Sequence, residues 1–168
     1  MIPYTPGMTG NFTGYYQPLV KGSWVPSFEF TVPVYQKPAD LVRGKKYDTR
    51  AQINNRDDLI PILWIEHQAD LFLLQVQGSG IVEMDDGELI GLHFDASNER
   101  PFYAIGKDLA KKGIFNMADI RDWLIAHPVE GERLMNKNER YIFFKHDSSI
   151  DAIGSMKYPL KCGKKYGC

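Results

Sequence analysis

Apolar and polar positions change their period along the chain. Up to Pro38 they alternate in short, punctuated runs: FTGYYQP, then SFEFTVPVYQKP, where Phe28, Phe30, Val32 and Val34 fall at even spacing and Pro33 interrupts them. Alternation with a period of two marks a strand with one buried face, and a proline confines such a strand to a sheet edge. In FTGYYQP the neighbours Tyr15 and Tyr16 would point to opposite faces, one ring inward and one outward. A charged loop from Asp40 to Asp57 follows, then two apolar stretches, LIPILWIE and ADLFLLQVQGSG, with a turn expected at His67 to Asp70 between them. Read as a strand, the second stretch puts Gln75 and Gln77 on one face with Leu73, and Phe72, Leu74 and Val76 on the other.

The segment IVEMDDGELIGLHF alternates well and has Asp86-Gly87 at its middle, a strong hairpin signal. From Pro101 the period lengthens. Phe102, Ile105 and Leu109 before Gly113 predict a helix; MADIRDWLIAHP predicts a second, with Ile120, Trp123 and Leu124 on one face and Pro128 as its stop; EGERLMNKN predicts a third, short one. YIFFK, Tyr141 to Lys145, is strand-like again. The class expected is therefore α+β and β-rich, with two or three helices grouped late.

Composition narrows the function classes. In 168 residues, 20 basic and 21 acidic side chains leave a net charge of -1, so no global field favours nucleic acid or a membrane surface. No apolar run approaches a membrane span, and the start MIPYTPGMTG lacks the basic flank and apolar core of a signal peptide. Cys162 and Cys168 both fall in KCGKKYGC, without zinc spacing or a disulfide framework.

Candidate chemistry is sparse. The carboxamides of Gln75 and Gln77 can follow sugar hydroxyls or peptide groups, although a polar outer strand face would look the same. The glycines of GSG lack the strand-to-helix context of a phosphate loop. Among carboxylates, Asp85 and Asp86 belong to a turn and Glu66 and Asp70 flank another. That leaves Asp95, before ASNERP, as the best acid/base candidate, with a loop cap as the competing role. His67, His93, His127 and His146 are scattered without metal spacing, and neither a metal nor a cofactor is expected.

Several separated stretches, in order, nevertheless agree with one family: FTGYYQP, TRAQI, LQVQGSG, the N..PFYAIGKDLAKKG segment, MADIRDWLIAHP and NERYIFFK. Together they resemble the membrane-bound lytic murein transglycosylase A family, over roughly Gly10 to Leu160. The resemblance implies cleavage of peptidoglycan between N-acetylmuramic acid and N-acetylglucosamine. The muramoyl 6-hydroxyl attacks in place of water and leaves a 1,6-anhydro product, while one aspartate serves as acid and then base.

It further implies a double-psi β-barrel split in sequence by a smaller β-rich, barrel-like insert, with the glycan in the groove between them. On that pattern residues 11–18 and 140–168 are barrel fragments and 19–139 the insert. Thr13, Tyr16, Gln77, Ser79 and Asn98 are the expected substrate contacts. Gln17 and Gln52 stand where many members carry Glu, and a loop glycine expected near Glu99 is absent. The family's catalytic aspartate motif would lie beyond the end of this chain, so no catalytic residue is assigned within it. The partner implied is the peptidoglycan glycan strand at the periplasmic face of the outer membrane. Exposed barrel edges would also favour self-association. A non-catalytic glycan-binding module is the competing reading.

Overall fold

The computed structural model describes residues 19–148. Six strands form one sheet: β1 (Val20–Ser23), β2 (Val32–Tyr35), β3 (Pro61–Ile65), β4 (Ser79–Met84), β5 (Leu89–Ser97) and β6 (Ile142–Asp147), in spatial order β2-β3-β1-β4-β5-β6. Only β1 and β4 run parallel. Among the described residues there are five helices: α1 (Arg50–Asn54), α2 (Gln68–Gln77), α3 (Gly106–Ala110), α4 (Met117–Ala126) and α5 (Pro128–Met135).

The sheet curls. Its edge strands β2 and β6 are not ladder partners, yet Val32 and Val34 share a core with Ile142 and Phe144, and Tyr35 shares another with Tyr141 and Phe143. Trp24, just past β1, meets His146 of β6 edge to face at 5.8 Å across the curl. The result is a mixed, sheet-rich half-barrel, in agreement with the β-rich α+β, barrel-like expectation. The segments 11–18 and 149–168 lie outside the described residues, and β6 belongs to the same sheet as the other strands.

The Asp86-Gly87 hairpin joins β4 to β5, with Gly87 at φ 91° and the Asp86 carboxylate accepting from the Glu88 amide at 2.9 Å. Helix α4 ends before Pro128, and that proline opens α5, where its missing N–H costs nothing. Pro33 does lie on an edge strand. That strand is shorter than the alternation suggested, because Ser27 and Phe30 close a tight turn that leaves Phe28 fully exposed.

Two elements differ from expectation. ADLFLLQVQGSG is mainly helix, not strand. Leu71 and Leu74 of α2 face the sheet core, while Ala69, Phe72 and Leu73 face a second core made with α3, α4 and α5. A helix covered on two sides has no polar stripe to reveal its period. The turn expected at His67–Asp70 shrinks to His67, the N-cap, and Asp70 sits in the first helical turn. Within the supposed loop 40–57, α1 forms on a reciprocal cap: the Gln52 amide donates to Thr49 Oγ1, and the Gln52 side chain accepts from the Thr49 amide at 2.8 Å.

Candidate functional site

Four of the stretches that carry the resemblance, TRAQI, LQVQGSG, the segment that starts at Asn98, and NERYIFFK, meet in one buried polar clasp. Five consecutive carbonyls, from Asn138 to Ile142, are bound by Arg50, Asn98 and Gln75. Arg50 donates through Nε to the Asn138 carbonyl at 2.8 Å, through its amide to Glu139 at 3.2 Å, and through Nη2 to the Arg140 carbonyl. Its Nη1 donates to Gln75 Oε1 at 2.5 Å, and Gln75 Nε2 donates to the Ile142 carbonyl at 3.2 Å.

Asn98 completes the set. Its Nδ2 donates to the Asp48 and Glu139 carbonyls, each at 2.8 Å, its Oδ1 accepts from the Tyr141 amide at 2.7 Å, and its own amide donates to the Tyr141 carbonyl at 3.1 Å. Asn98 is wholly buried and its carboxamide is occupied by backbone. Neither Arg50 nor Gln75 stood out as a buried group in the sequence.

Arg50 is a buried cation without a carboxylate partner among the described residues. Burial pushes its pKa down to about 10, which keeps it charged at neutral pH. The rings of Phe72 and Tyr141 lie 4.8 and 5.2 Å from the guanidinium carbon and offset part of the cost of burying it. Burial also raises the Tyr141 phenol well above its ordinary value, and its buried hydroxyl meets the geometry of a hydrogen bond with no partner among the described residues.

By anchoring α2, the clasp presents the α2–β4 corner. There Gln77 is exposed, Gly78 turns the chain at φ 87°, and exposed Ser79 begins β4. Ser79 pairs with His93, and His93 with Lys145, so the register aligns a hydroxyl, an imidazole and an ammonium in one row, with Gln77 two residues before Ser79 in the chain. Of the sequence-predicted contacts, Gln77 and Ser79 come together here, whereas Asn98 lies inside the clasp. Thr13 and Tyr16 lie outside the described residues.

Two of the carboxylates considered for acid/base work, Asp95 and Asp70, are held by arginines. Asp95 falls at a β5 irregularity, where Arg43 donates to its carbonyl at 2.6 Å and to its carboxylate at 3.1 Å. Asp70 is buried and clamped by Arg121 at 2.6 and 3.2 Å, so both of its oxygens are taken.

A cleft of about 430 Å³ opens on the other side of Arg50, between α1, the start of α2, and α5. Phe72, Leu124 and Met135 form apolar parts of its lining, and Glu66, Gln68 and Glu132 polar ones. Burial and the neighbouring Glu29 carboxyl hold Glu66 above the ordinary carboxylate range.

Comparison with known proteins identifies the family. The family model described as the MltA specific insert domain matches residues 11–145. A membrane-bound lytic murein transglycosylase A homolog of Buchnera aphidicola is 30% identical over 159 residues, covering 88% of this chain and 43% of the relative. The structure of LtgG, a lytic transglycosylase of Burkholderia pseudomallei, superposes with a TM-score of 0.70 at 31% identity, over 91% of this chain and 45% of that one. Escherichia coli MltA with bound chitohexaose does so at 0.68 and 29%, over 94% and 46%. The chain thus spans less than half the length of these relatives. With the insert-domain match covering most of its length, the chain belongs to the MltA family.

Proposed function

We propose that this chain forms one wall of the glycan-binding groove of a peptidoglycan lytic transglycosylase, the enzyme that cuts the N-acetylmuramic acid to N-acetylglucosamine bond and leaves a 1,6-anhydro end. The observation that carries this reading is the exposed polar corner of Gln77 and Ser79, continued by His93 and Lys145 and held in place by the buried clasp. A carboxamide and a hydroxyl each donate and accept, which matches sugar hydroxyls that do both. The chitohexaose found in the E. coli relative is an oligosaccharide of suitable chemistry.

Gln77 and Ser79 are the direct contacts on this wall, joined by Thr13 and Tyr16 from the preceding segment. Asn98 acts as a positioning residue, since it fixes the segment that pairs with β5. The role assigned to this wall is binding: Asp70 has both carboxylate oxygens held by Arg121, and Asp95 has one held by Arg43. The strands β1 and β6 support insertion into a second domain. Val20 stands beside Val82, which faces Ile90, and the next residue, Gly91, faces Asp147, so the described span starts and ends at one level of the sheet. The periplasmic face of the outer membrane is the compartment this substrate requires, and no described helix is long and apolar enough to cross a membrane.

The test is chitohexaose titration by calorimetry, alongside sedimentation with peptidoglycan sacculi and mass spectrometry of released 1,6-anhydro-muropeptides. Gln77→Ala and Ser79→Ala each remove about one hydrogen bond, which predicts roughly 3- to 10-fold weaker chitohexaose binding. Unchanged affinity in the double variant would remove this corner from the groove. Saccharide binding without released anhydro products is the outcome this reading expects; released anhydro products would overturn the binding-only role given to these residues.

A further inference from the structure

The cleft beside Arg50 plays no part in that wall, and its lining has a recognition chemistry of its own. Phe72, Leu124 and Met135 offer apolar surface, while Glu66 and Glu132 add two carboxylates with no salt bridge among the described residues. Glu66 is already disfavoured as an anion by burial and by Glu29, a tension that a cationic ligand would relieve.

Arg50 supplies the opposite preference. A guanidinium has five N–H donors, and the three side-chain bonds from Nε, Nη1 and Nη2 leave one N–H on each terminal nitrogen without an acceptor among the described residues. Arg50 is 3% exposed and lines the cleft. Gln68 and Ala69, which open α2, line it too, and no side chain caps that helix. The cleft therefore combines sites for an anion and for a cation over an apolar base.

We propose that this cleft binds the peptide borne by the glycan strand, at a residue presenting a free carboxylate and a free ammonium together. This rests on the glycan-wall reading and extends it to the peptide portion of the same substrate. Helix α2 sets the spacing: Gln68 is at the cleft and Gln77 at the polar corner. Nine steps of 1.5 Å separate them by about 14 Å, and four extended residues span roughly 13–14 Å. The straight-line separation of the corner and the cleft is thus comparable to the length of an extended tetrapeptide.

The experiment titrates the 168-residue chain with two separate probes: the tetrapeptide Ala-γ-Glu-diaminopimelate-Ala, whose third residue ends in an ammonium and a carboxylate on one carbon, and chitohexaose, which has no peptide. Tetrapeptide binding is expected, weakened at least about 5-fold in Glu132→Gln and in Glu66→Gln, with chitohexaose affinity unchanged in both. Far-ultraviolet circular dichroism verifies that the variants are folded; Glu132 is exposed, so its substitution leaves the core intact. Chitohexaose binding without tetrapeptide binding, or wild-type tetrapeptide affinity in both variants, overturns the inference and leaves the glycan wall standing. Tetrapeptide binding that depends on the two glutamates, without chitohexaose binding, supports the cleft and removes the wall. Failure of both probes overturns both.

Discussion

Replacing Asn98 tests the clasp most directly. In Asn98→Ala the half-buried Asp48 and Glu139 carbonyls lose a donor at 2.8 Å and the buried Tyr141 amide loses its acceptor at 2.7 Å. Arg50 still binds the Glu139 carbonyl, so that group is only half deprived. At about 1 kcal/mol for each broken bond the loss is roughly 3 kcal/mol. For a chain of this size that corresponds to a melting temperature lower by roughly 6–12 °C.

Asn98→Asp separates hydrogen bonding from mere volume. It keeps the acceptor for Tyr141 but turns an anionic oxygen toward two carbonyls, so the folded state favours the protonated acid and raises its pKa. The folded form then binds the proton more tightly than the unfolded form, and stability relative to wild type falls as pH rises above about 4. The assay is urea unfolding followed by circular dichroism between pH 4 and 7. An Asn98→Ala variant within about 0.5 kcal/mol of wild type, or an Asn98→Asp variant with no pH-dependent deficit, would refute the role given to this side chain.

Two further expectations follow from packing and charge. A Cβ on Gly22 would sit 2.6 Å from Val82 Cγ1 and 3.0 Å from the Trp64 carbonyl oxygen, so Gly22→Ala should cost about 1–3 kcal/mol in urea unfolding through overpacking between β1 and its neighbours. Because Glu66 is held above its ordinary pKa by burial and Glu29, the native state binds its proton more tightly than the unfolded chain. Wild type should therefore lose stability relative to Glu66→Gln as pH rises through the carboxylate range, with the difference closing in acid; a difference that grows in acid would reverse the sign of this argument.

How much of this was legible beforehand depended on whether the signal was local. Asp86-Gly87 fixes a turn by its own backbone preference, and the apolar face of Ile120, Trp123 and Leu124 points to a helix packed on one side. Helix α2 was read as a strand because seven successive residues, Ala69 to Gln75, are buried, and burial on two sides erases periodicity. Its Gly78 stop and its ten-residue length were the available clues to a helix. Helix α1 was announced by Thr49 and Gln52 at capping-box spacing inside a stretch otherwise rich in charge. The order of the motifs pointed to the family, yet the meeting of Arg50, Gln75 and Asn98 is a long-range fact: their common partner is a run of backbone carbonyls, which have no side-chain signature.

The clasp also has a consequence for the order in which this chain folds. Arg50 bonds to groups 88 and 90 positions downstream, so its guanidinium cannot reach its native acceptors until most of the described span has formed and returned. An emerging chain that stops short of Asn138 would carry a cation bound for the interior with no carbonyls to receive it. Early burial of α2 against the sheet is thereby penalised, and consolidation of the core waits for the last strand. Such distant closure slows folding, and β6, which follows the clasped segment, is where the described core closes.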